Sequence, residues 1–229
     1  MPEREGVIRF RAEHREEPLP ADLAPLAAEL AGWQRVLRRL GVIGCDPHRY
    51  GGYAFGNLSA RVAHDAPPGR RAFLITGSQT MGEGAGERGD DGDDPAADLA
   101  RWALVERWDA AANRVESRGL VPPSSESLTH GALYDLDPAA GPPAGAVFHA
   151  HAPGPWRRAR GLGLPVTAEA TECGTPELAA EIARLGAAGR LAAGVLAMGG
   201  HEDGILAFGA TVTEAGQRLV AALAVARDR

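Results

Sequence analysis

The order of apolar and polar positions along the 229-residue chain predicts helices and short strands that are interspersed without strict alternation. Apolar residues between Asp22 and Leu40 recur every three or four positions, a spacing typical of an amphipathic helix. Asp22 is suited to begin this helix and Gly41 to end it. A short helix is predicted after the segment 122–126. Two later helices are predicted, each with its own cap residue: 176–185 after Thr175, and Thr213 to about Arg227.

Short apolar runs bounded by glycine, proline and polar residues predict the strands. In chain order these runs are 53–62, 72–76, 102–108, 113–117, 146–151, 194–198 and 204–208. They predict a single α/β domain built on a mainly antiparallel sheet. Residues 1–19 are polar and irregular in pattern, so we expect an N-terminal arm followed by one domain over residues 20–229.

The composition excludes several mechanisms, because the chain contains no lysine and all 24 basic residues are arginine. Without lysine no Schiff base can form on the protein, which excludes lysine-imine aldolases and pyridoxal-phosphate enzymes. The Walker A motif of P-loop nucleotide hydrolases also needs a lysine. Any activation of a carbonyl group must therefore come from a metal, a hydrogen bond or an arginine.

The net charge of -6 is concentrated in one place, since acidic residues dominate the segment 83–94. This segment predicts a solvated, poorly ordered acidic loop at 82–95, and its spacing fails the calcium-loop pattern. No basic stripe remains for a nucleic acid, and no apolar run is long enough to span a membrane. Cys45 and Cys173 are too few for a disulfide framework. Together with an N-terminus unlike a signal peptide, these features predict a cytoplasmic protein.

Histidines are the first candidates for chemistry. His149 and His151 lie two positions apart on a predicted strand, so their side chains point to the same face and could bind one metal. The alternative is a pair of polar residues on an open strand face. His201 follows Gly199-Gly200 between two apolar runs, where a structural role is the usual one.

Polar residues before the predicted short helix are the second candidates. Glu126 would be favoured near a helix start by the helix dipole alone. Ser124 and Ser125 offer hydroxyls and amides to an anion at the same place, although capping is their simpler role.

Several short motifs occur in an order that resembles the class II aldolase/adducin family. They are Gly56-Asn-Leu-Ser-Ala-Arg61, Ile75-Thr-Gly-Ser78, Pro123-Ser-Ser-Glu126 with His130 and Tyr134 downstream, His149-Ala-His-Ala-Pro153, Gly174-Thr-Pro-Glu-Leu-Ala179, and 201–209. The resemblance spans roughly residues 24–225. It implies a three-layer α/β/α domain with a central, mainly antiparallel sheet.

The resemblance also implies a site and an activity. A divalent metal, usually Zn²⁺, would be bound by His149, His151 and His201, and Glu126 would be the catalytic acid/base. A phosphate group of the substrate would be bound by polar residues from three segments: Asn57, Thr76, Gly77, Ser78, Ser124 and Ser125. The implied function is a metal-dependent lyase that cleaves a C–C bond through a metal-stabilised enediolate. Its substrate would be a small hydroxylated carbonyl compound such as a sugar phosphate.

Other interpretations within the same family remain open. A dehydratase of a ketose phosphate would use the same constellation, and a non-catalytic, adducin-like scaffold would not need the histidines. Members of the family are commonly homotetramers, so we expect a homo-oligomer. No nucleic-acid or membrane partner is expected.

The chain departs from the family pattern in three places. Gly77 and Gln79 stand where a proline and a glycine are usual, and the Gln79 side chain should narrow the phosphate pocket or add an amide donor to it. Glu202 and Asp203 follow His201 where the family usually has glycine. The acidic insert has no counterpart in the small aldolases.

Overall fold

The computed structural model describes residues 6–62, 65–80, 99–137 and 144–227. The predicted acidic loop at 82–95 lies outside these residues. The described strands, in chain order, are β1 (Arg11–Glu16), β2 (Gly44–Cys45), β3 (Ala54–Phe55), β4 (Asn57–Arg61), β5 (Phe73–Thr76), β6 (Trp102–Asp109), β7 (Arg114–Gly119), β8 (Ala146–His151), β9 (Val195–Ala197) and β10 (Gly204–Gly209). The described α-helices are α1 (Ala24–Arg39), α2 (Ser127–Tyr134), α3 (Pro153–Arg157), α4 (Pro176–Ala187) and α5 (Val212–Arg227).

Eight of the strands form one sheet in the order β1-β7-β6-β5-β4-β8-β10-β9. Every pair in it is antiparallel except β1 and β7, which run parallel. Strands β2 and β3 form a separate two-stranded ribbon. The prediction of a mainly antiparallel sheet is therefore confirmed.

Helices cover both faces of the sheet, because side chains alternate between the faces along each strand. On one face, Leu58, Phe148 and Ala207 pack with apolar residues of α1 and α5. On the other face, Val147 and Leu206 pack with α2 and α4. The three-layer α/β/α arrangement follows, and β4, β8 and β10 are neighbouring interior strands of the sheet. Burial of apolar surface in each core stabilises its layer, by about 25 cal/mol per Å².

The expectation of irregular structure throughout residues 1–19 is wrong for Arg11–Glu16, which forms the edge strand β1. Hydropathy could not show this strand, because most of its side chains are exposed and charged. It is held instead by backbone pairing with β7 and by side-chain contacts. For example, His14 Nδ1 lies 3.0 Å from Ser117 Oγ, and Arg15 pairs with Glu106 at 2.9 Å.

The last helix also begins earlier than predicted. It starts at Val212, and the Thr211 hydroxyl, rather than that of Thr213, accepts a hydrogen bond from the Glu214 amide. The Thr175 cap is as predicted, since its hydroxyl accepts from the Leu178 amide. No helix among the described residues is both long and apolar enough to cross a membrane. Cys45 and Cys173 are not joined in a disulfide.

Candidate active site

Three histidine side chains converge at the end of the central strands. His149 and His151 come from β8 and share its face, while His201 comes from the turn between β9 and β10. The ligand nitrogens of all three lie within 4.8 Å of one another. The Nε2 atoms of His151 and His201 are 3.1 Å apart. The structure thus brings together the three residues that the resemblance assigns to the metal.

The electrostatics of this cluster fit a divalent cation. Burial lowers the pKa of His149 and His151 well below the usual value, and the neighbouring imidazoles lower it further. Both rings are therefore neutral near pH 7 and can present a lone pair to a metal. Nε2 of His149 is buried and has no hydrogen-bond partner of suitable geometry among the described residues. Three imidazole nitrogens that converge in this way are a common donor set for Zn²⁺ and leave a position open for substrate.

Glu126 lies against this cluster. Its Oε1 atom is 3.2 Å from Nε2 of His149 and 3.6 Å from Nε2 of His201, and only 2% of the side chain is exposed. The residue occupies the N-cap position of α2 rather than its first turn. Its carbonyl accepts the His130 amide at 3.0 Å, which fixes the backbone beside the histidines.

A glycine allows the chain to close behind Glu126. Gly174 has a φ of +67°, and a Cβ atom there would lie 2.3 Å from the carbonyl oxygen of Ser125. Any other residue would push the 172–175 turn away from the segment that carries Glu126. The motif Gly174-Thr-Pro-Glu therefore positions the candidate acid/base as well as starting α4.

The residues predicted to bind a phosphate line one narrow cavity beside Glu126. Its lining includes Asn57 from β4, Thr76 to Ser78 at the end of β5 and just beyond it, and Ser124 and Ser125 before α2. The structure therefore brings the predicted pocket together. A separate groove of about 1090 Å³ between α2, α4 and the β6–β7 hairpin contains none of these residues, so cavity size alone does not identify the site.

Most of the backbone amides in this pocket are already used. The amides of Gly77, Ser78 and Ser124 donate to the carbonyls of Arg101, Pro122 and Thr76, at 2.9, 2.8 and 3.1 Å. The Glu126 amide donates to the Ser124 hydroxyl at 3.3 Å. The expected set of open amides at a helix start is therefore not found at these positions, and Ser124 has the capping-type role. Serine hydroxyls and the Asn57 side chain are left to bind a substrate group.

Gln79 also lines this cavity. Its φ is 57°, the left-handed conformation that glycine adopts most easily. Its Oε1 atom accepts the Ala54 amide at 3.2 Å, and its Nε2 atom lies against Gly6. The side chain thus lies between β3 and the start of the described chain, and its effect on the width of the pocket stays a prediction.

No protein-family model matches the chain, and no curated protein matches it in sequence. Several solved structures do match in fold. L-Fuculose-1-phosphate aldolase from Thermus thermophilus is 21% identical over 88% of this chain and 92% of its own, with a TM-score of 0.53. Sugar-phosphate aldolase from Thermotoga maritima is 16% identical over 90% and 93%, with a TM-score of 0.60. The chain has the class II aldolase fold.

A third match is YgbL of Escherichia coli, an aldolase/epimerase/decarboxylase candidate. It is 18% identical over 89% of this chain and 87% of its own, with a TM-score of 0.58. The resemblance inferred from the motif order is thus confirmed as a class II aldolase fold. The roles of individual residues in this chain stay predictions.

The structure shows three sets of contacts near the histidines that sequence reasoning did not predict. The Cys173 sulfur lies within 4.8 Å of both a Glu126 carboxylate oxygen and a His201 nitrogen. The Ser59 hydroxyl lies 2.6 Å from His130 Nδ1 and 2.6 Å from the Tyr134 hydroxyl, and all three side chains are buried. Tyr50 contacts His151 through its ring. A lone cysteine, serine or tyrosine gives no periodic signal, so only the fold could reveal these contacts.

Proposed function

We propose that this chain is a metal-dependent lyase of the aldolase type that acts on a small hydroxylated carbonyl compound. The observation that carries the proposal is the distance from Glu126 Oε1 to two of the three converging imidazoles, 3.2 and 3.6 Å. A buried carboxylate in contact with a candidate metal cluster is the arrangement that proton transfer next to a carbonyl needs. The class II aldolase fold supports it.

His149, His151 and His201 would hold the metal, with Zn²⁺ as the first expectation. A divalent ion held there would supply Lewis-acid stabilisation of negative charge on substrate oxygens. The strand positions of His149 and His151 fix two of the three ligands on a rigid element, which favours a well-defined substrate orientation.

Glu126 would take a proton from, or return one to, the substrate at the atom next to the carbonyl. The N-cap position of Glu126 at the start of α2 and the burial of its side chain, which shields the carboxylate from bulk water, support this role. The Ser124 and Ser125 hydroxyls and Asn57 would bind the far end of the substrate in the adjacent cavity. This division leaves the reacting end at the histidines.

A sugar phosphate is the first substrate class to test, because two of the matched structures are named for such substrates. A ketose-phosphate dehydratase would use the same residues and is the second candidate. The buried histidine cluster argues against a scaffold, since three buried imidazoles packed together have no evident structural purpose. By the family resemblance we also propose that the protein is cytoplasmic and forms a homotetramer. Sedimentation of the purified protein would test the oligomeric state.

The first experiment is elemental analysis of protein purified without chelators. We expect about one divalent metal per chain. The second experiment measures turnover of a panel of short ketoses with and without phosphate, and we expect at least one of them to be cleaved. Protein that neither contains nor takes up a metal, and that cleaves none of the panel, would refute the proposal.

The pocket makes a specific prediction about phosphate. Because Gln79 lines the pocket with a side chain where glycine is usual, and because the nearby amides of Gly77, Ser78 and Ser124 are hydrogen-bonded within the fold, inorganic phosphate should compete weakly. In Gln79→Gly, phosphate and phosphoglycolohydroxamate should bind about 10-fold more tightly. This is the gain expected from one additional interaction with the phosphate group of about 1.4 kcal/mol. Competition assays on both forms measure this, with Thr80→Ala at the pocket rim as a matched control. Tight binding of the phosphorylated mimic, with no gain in Gln79→Gly, would show that Gln79 has no effect on phosphate.

The acidic loop is predicted to lie outside the catalytic machinery. A deletion of residues 83–94 that joins Gly82 to Pro95 removes a net charge of -5 and leaves all the proposed ligands in place. Metal content and turnover should stay within about two-fold of the wild-type values, since surface changes usually cost less than about 0.5 kcal/mol. Loss of the metal on this deletion would place the loop in the site.

A further inference from the structure

A chain of side-chain hydrogen bonds connects the His201 turn to the segment before β3. The Tyr50 hydroxyl donates to Oδ2 of Asp203 at 2.8 Å, and Nη2 of Arg49 donates to the same hydroxyl oxygen at 2.8 Å. Nη1 of Arg49 donates to the Gly41 carbonyl at 3.0 Å. This bond connects the series of hydrogen bonds to the segment just after α1. We call the Arg49, Tyr50 and Asp203 side chains the Tyr50 clamp.

The clamp contacts one of the three proposed metal ligands, His151, and its Asp203 lies close to a second, His201, along the chain. The Tyr50 ring packs edge-on against the His151 imidazole, with ring centroids 4.3 Å apart, and Phe55 packs against the same imidazole at 5.4 Å. The Arg49 guanidinium lies over the Tyr50 ring at 4.9 Å. Asp203 is two residues beyond His201 and only 6% exposed. His151 therefore cannot rotate toward Tyr50 unless the clamp opens.

The backbone at both ends of the clamp is left-handed, a conformation that is rare for tyrosine and better tolerated by aspartate. The φ angle is 49° at Tyr50 and 62° at Asp203, in the left-handed region that is rare for bulky side chains. Such conformations persist only where surrounding contacts determine them, and they cluster at functional sites. A turn with no other task would be easier to form with glycine at these positions. Here the side chains are present and bonded to each other.

The Asp203 carbonyl gives the clamp a second connection to the site. It accepts the Ala152 amide at 2.8 Å, directly after His151 in the chain. Asp203 thus makes two contacts near His151. Its backbone carbonyl binds the chain directly after His151, and its carboxylate binds the hydroxyl of the tyrosine whose ring packs on His151. Glu202, its neighbour, is exposed and shares none of this.

We propose that the Tyr50 clamp is a positioning device that fixes the His151 ring and the His201 turn so that their nitrogens converge on the metal. The proposal rests on the proposed metal site and extends it to residues that do not bind the ion. His149 differs from His151 in having Glu126 beside it, with Oε1 at 3.2 Å from its Nε2. Groups that orient metal ligands typically change metal affinity by about 10–100-fold when they are removed.

The test is metal affinity rather than turnover. Zn²⁺ and Co²⁺ dissociation constants are measured by competition with a chromophoric chelator for wild type, Tyr50→Phe, Asp203→Gly and the double variant. Phenylalanine keeps the ring but not the hydroxyl, and glycine accepts the φ of Asp203 while removing the carboxylate. Each single variant should bind about 10–100-fold more weakly. The double variant should be no weaker than the weaker single one, because both remove the same bond.

Conservative and neighbouring changes separate positioning from general stability. Asp203→Asn keeps an oxygen acceptor and tolerates the left-handed backbone, so it should retain most of the affinity. Tyr53→Phe and Glu202→Gly are matched controls at exposed positions and should bind like wild type. Unfolding temperatures of the metal-free proteins show whether each variant is folded. If Asp203→Gly fails to fold, Tyr50→Phe and Asp203→Asn decide the question by themselves.

The outcomes distinguish the clamp from the metal site. Wild-type affinity in folded Tyr50→Phe and Asp203→Gly would overturn the positioning role and leave the metal site standing. A wild-type protein that binds neither ion would overturn the proposed function, and the clamp with it. Weaker binding in both variants, with recovery in Asp203→Asn, supports the proposal.

Discussion

Replacement of Glu126 by glutamine should lower turnover by about 10²–10⁴-fold, the usual contribution of a general acid or base. Glutamine has nearly the same shape but cannot accept a proton at pH 7. The Glu126 carboxylate lies 3.2 Å from His149 and its side chain is only 2% exposed, so bulk water has little access to take over proton transfer. The direct measurement is exchange of the protons next to the carbonyl of dihydroxyacetone, with and without phosphate, in D₂O. Turnover of the best substrate from the panel is measured in parallel.

Two controls make this result specific to proton transfer. Metal content should stay at the wild-type value in Glu126→Gln, because the three imidazoles are unchanged. Glu202→Gln changes an exposed carboxylate next to His201 and should leave exchange unaffected. Proton exchange at the wild-type rate in Glu126→Gln would mean that Glu126 is only a helix-start residue.

Replacement of His149 by alanine should remove the metal and lower turnover by about 10²–10⁴-fold. Lewis-acid stabilisation by a bound ion is worth several kcal/mol, and each factor of ten corresponds to about 1.4 kcal/mol. The His149 ring is completely buried at the centre of the cluster, so its loss leaves two ligands and a cavity. Elemental analysis, together with the unfolding temperature in the presence and absence of added Zn²⁺, measures the effect.

His48 offers the matched control, because it is exposed and lies far along the chain from the proposed ligands. His48→Ala should keep both the metal and the turnover. Added Zn²⁺ should raise the unfolding temperature of wild type but not of His149→Ala. A ligand stabilises the native state only when it binds to that state, and the variant has lost a proposed zinc ligand. A folded His149→Ala protein with one metal per chain would show that the assignment of this ligand is wrong.

Local sequence signals predicted the elements that depend on local physics. The helix α1 follows from apolar residues at helical spacing, and the Thr175 cap of α4 follows from a hydroxyl placed before a proline. Strand β8 matches the predicted range Ala146–His151, because a continuous apolar run suits a strand buried on both faces. The shared face of His149 and His151 needed only the period of a strand.

Local signals failed where pairing or distant contacts decide the structure. Strand β1 has exposed, charged side chains, and its partner β7 begins about a hundred residues later. The use of the Gly77 and Ser78 amides depends on carbonyls of Arg101 and Pro122, which no local pattern predicts. The bond between Tyr50 and Asp203 joins residues 153 positions apart.

The sequence by itself determined the class of fold and the set of candidate chemical groups. Without lysine, carbonyl activation had to rely on a metal, a hydrogen bond or an arginine, and the motif order identified the histidines and Glu126. The tertiary structure alone decided that these groups meet, because convergence depends on the order of strands in the sheet and on the closure of turns. It also decided which polar groups remain available to a ligand, since a hydrogen bond within the fold removes a donor that the sequence alone would count as open.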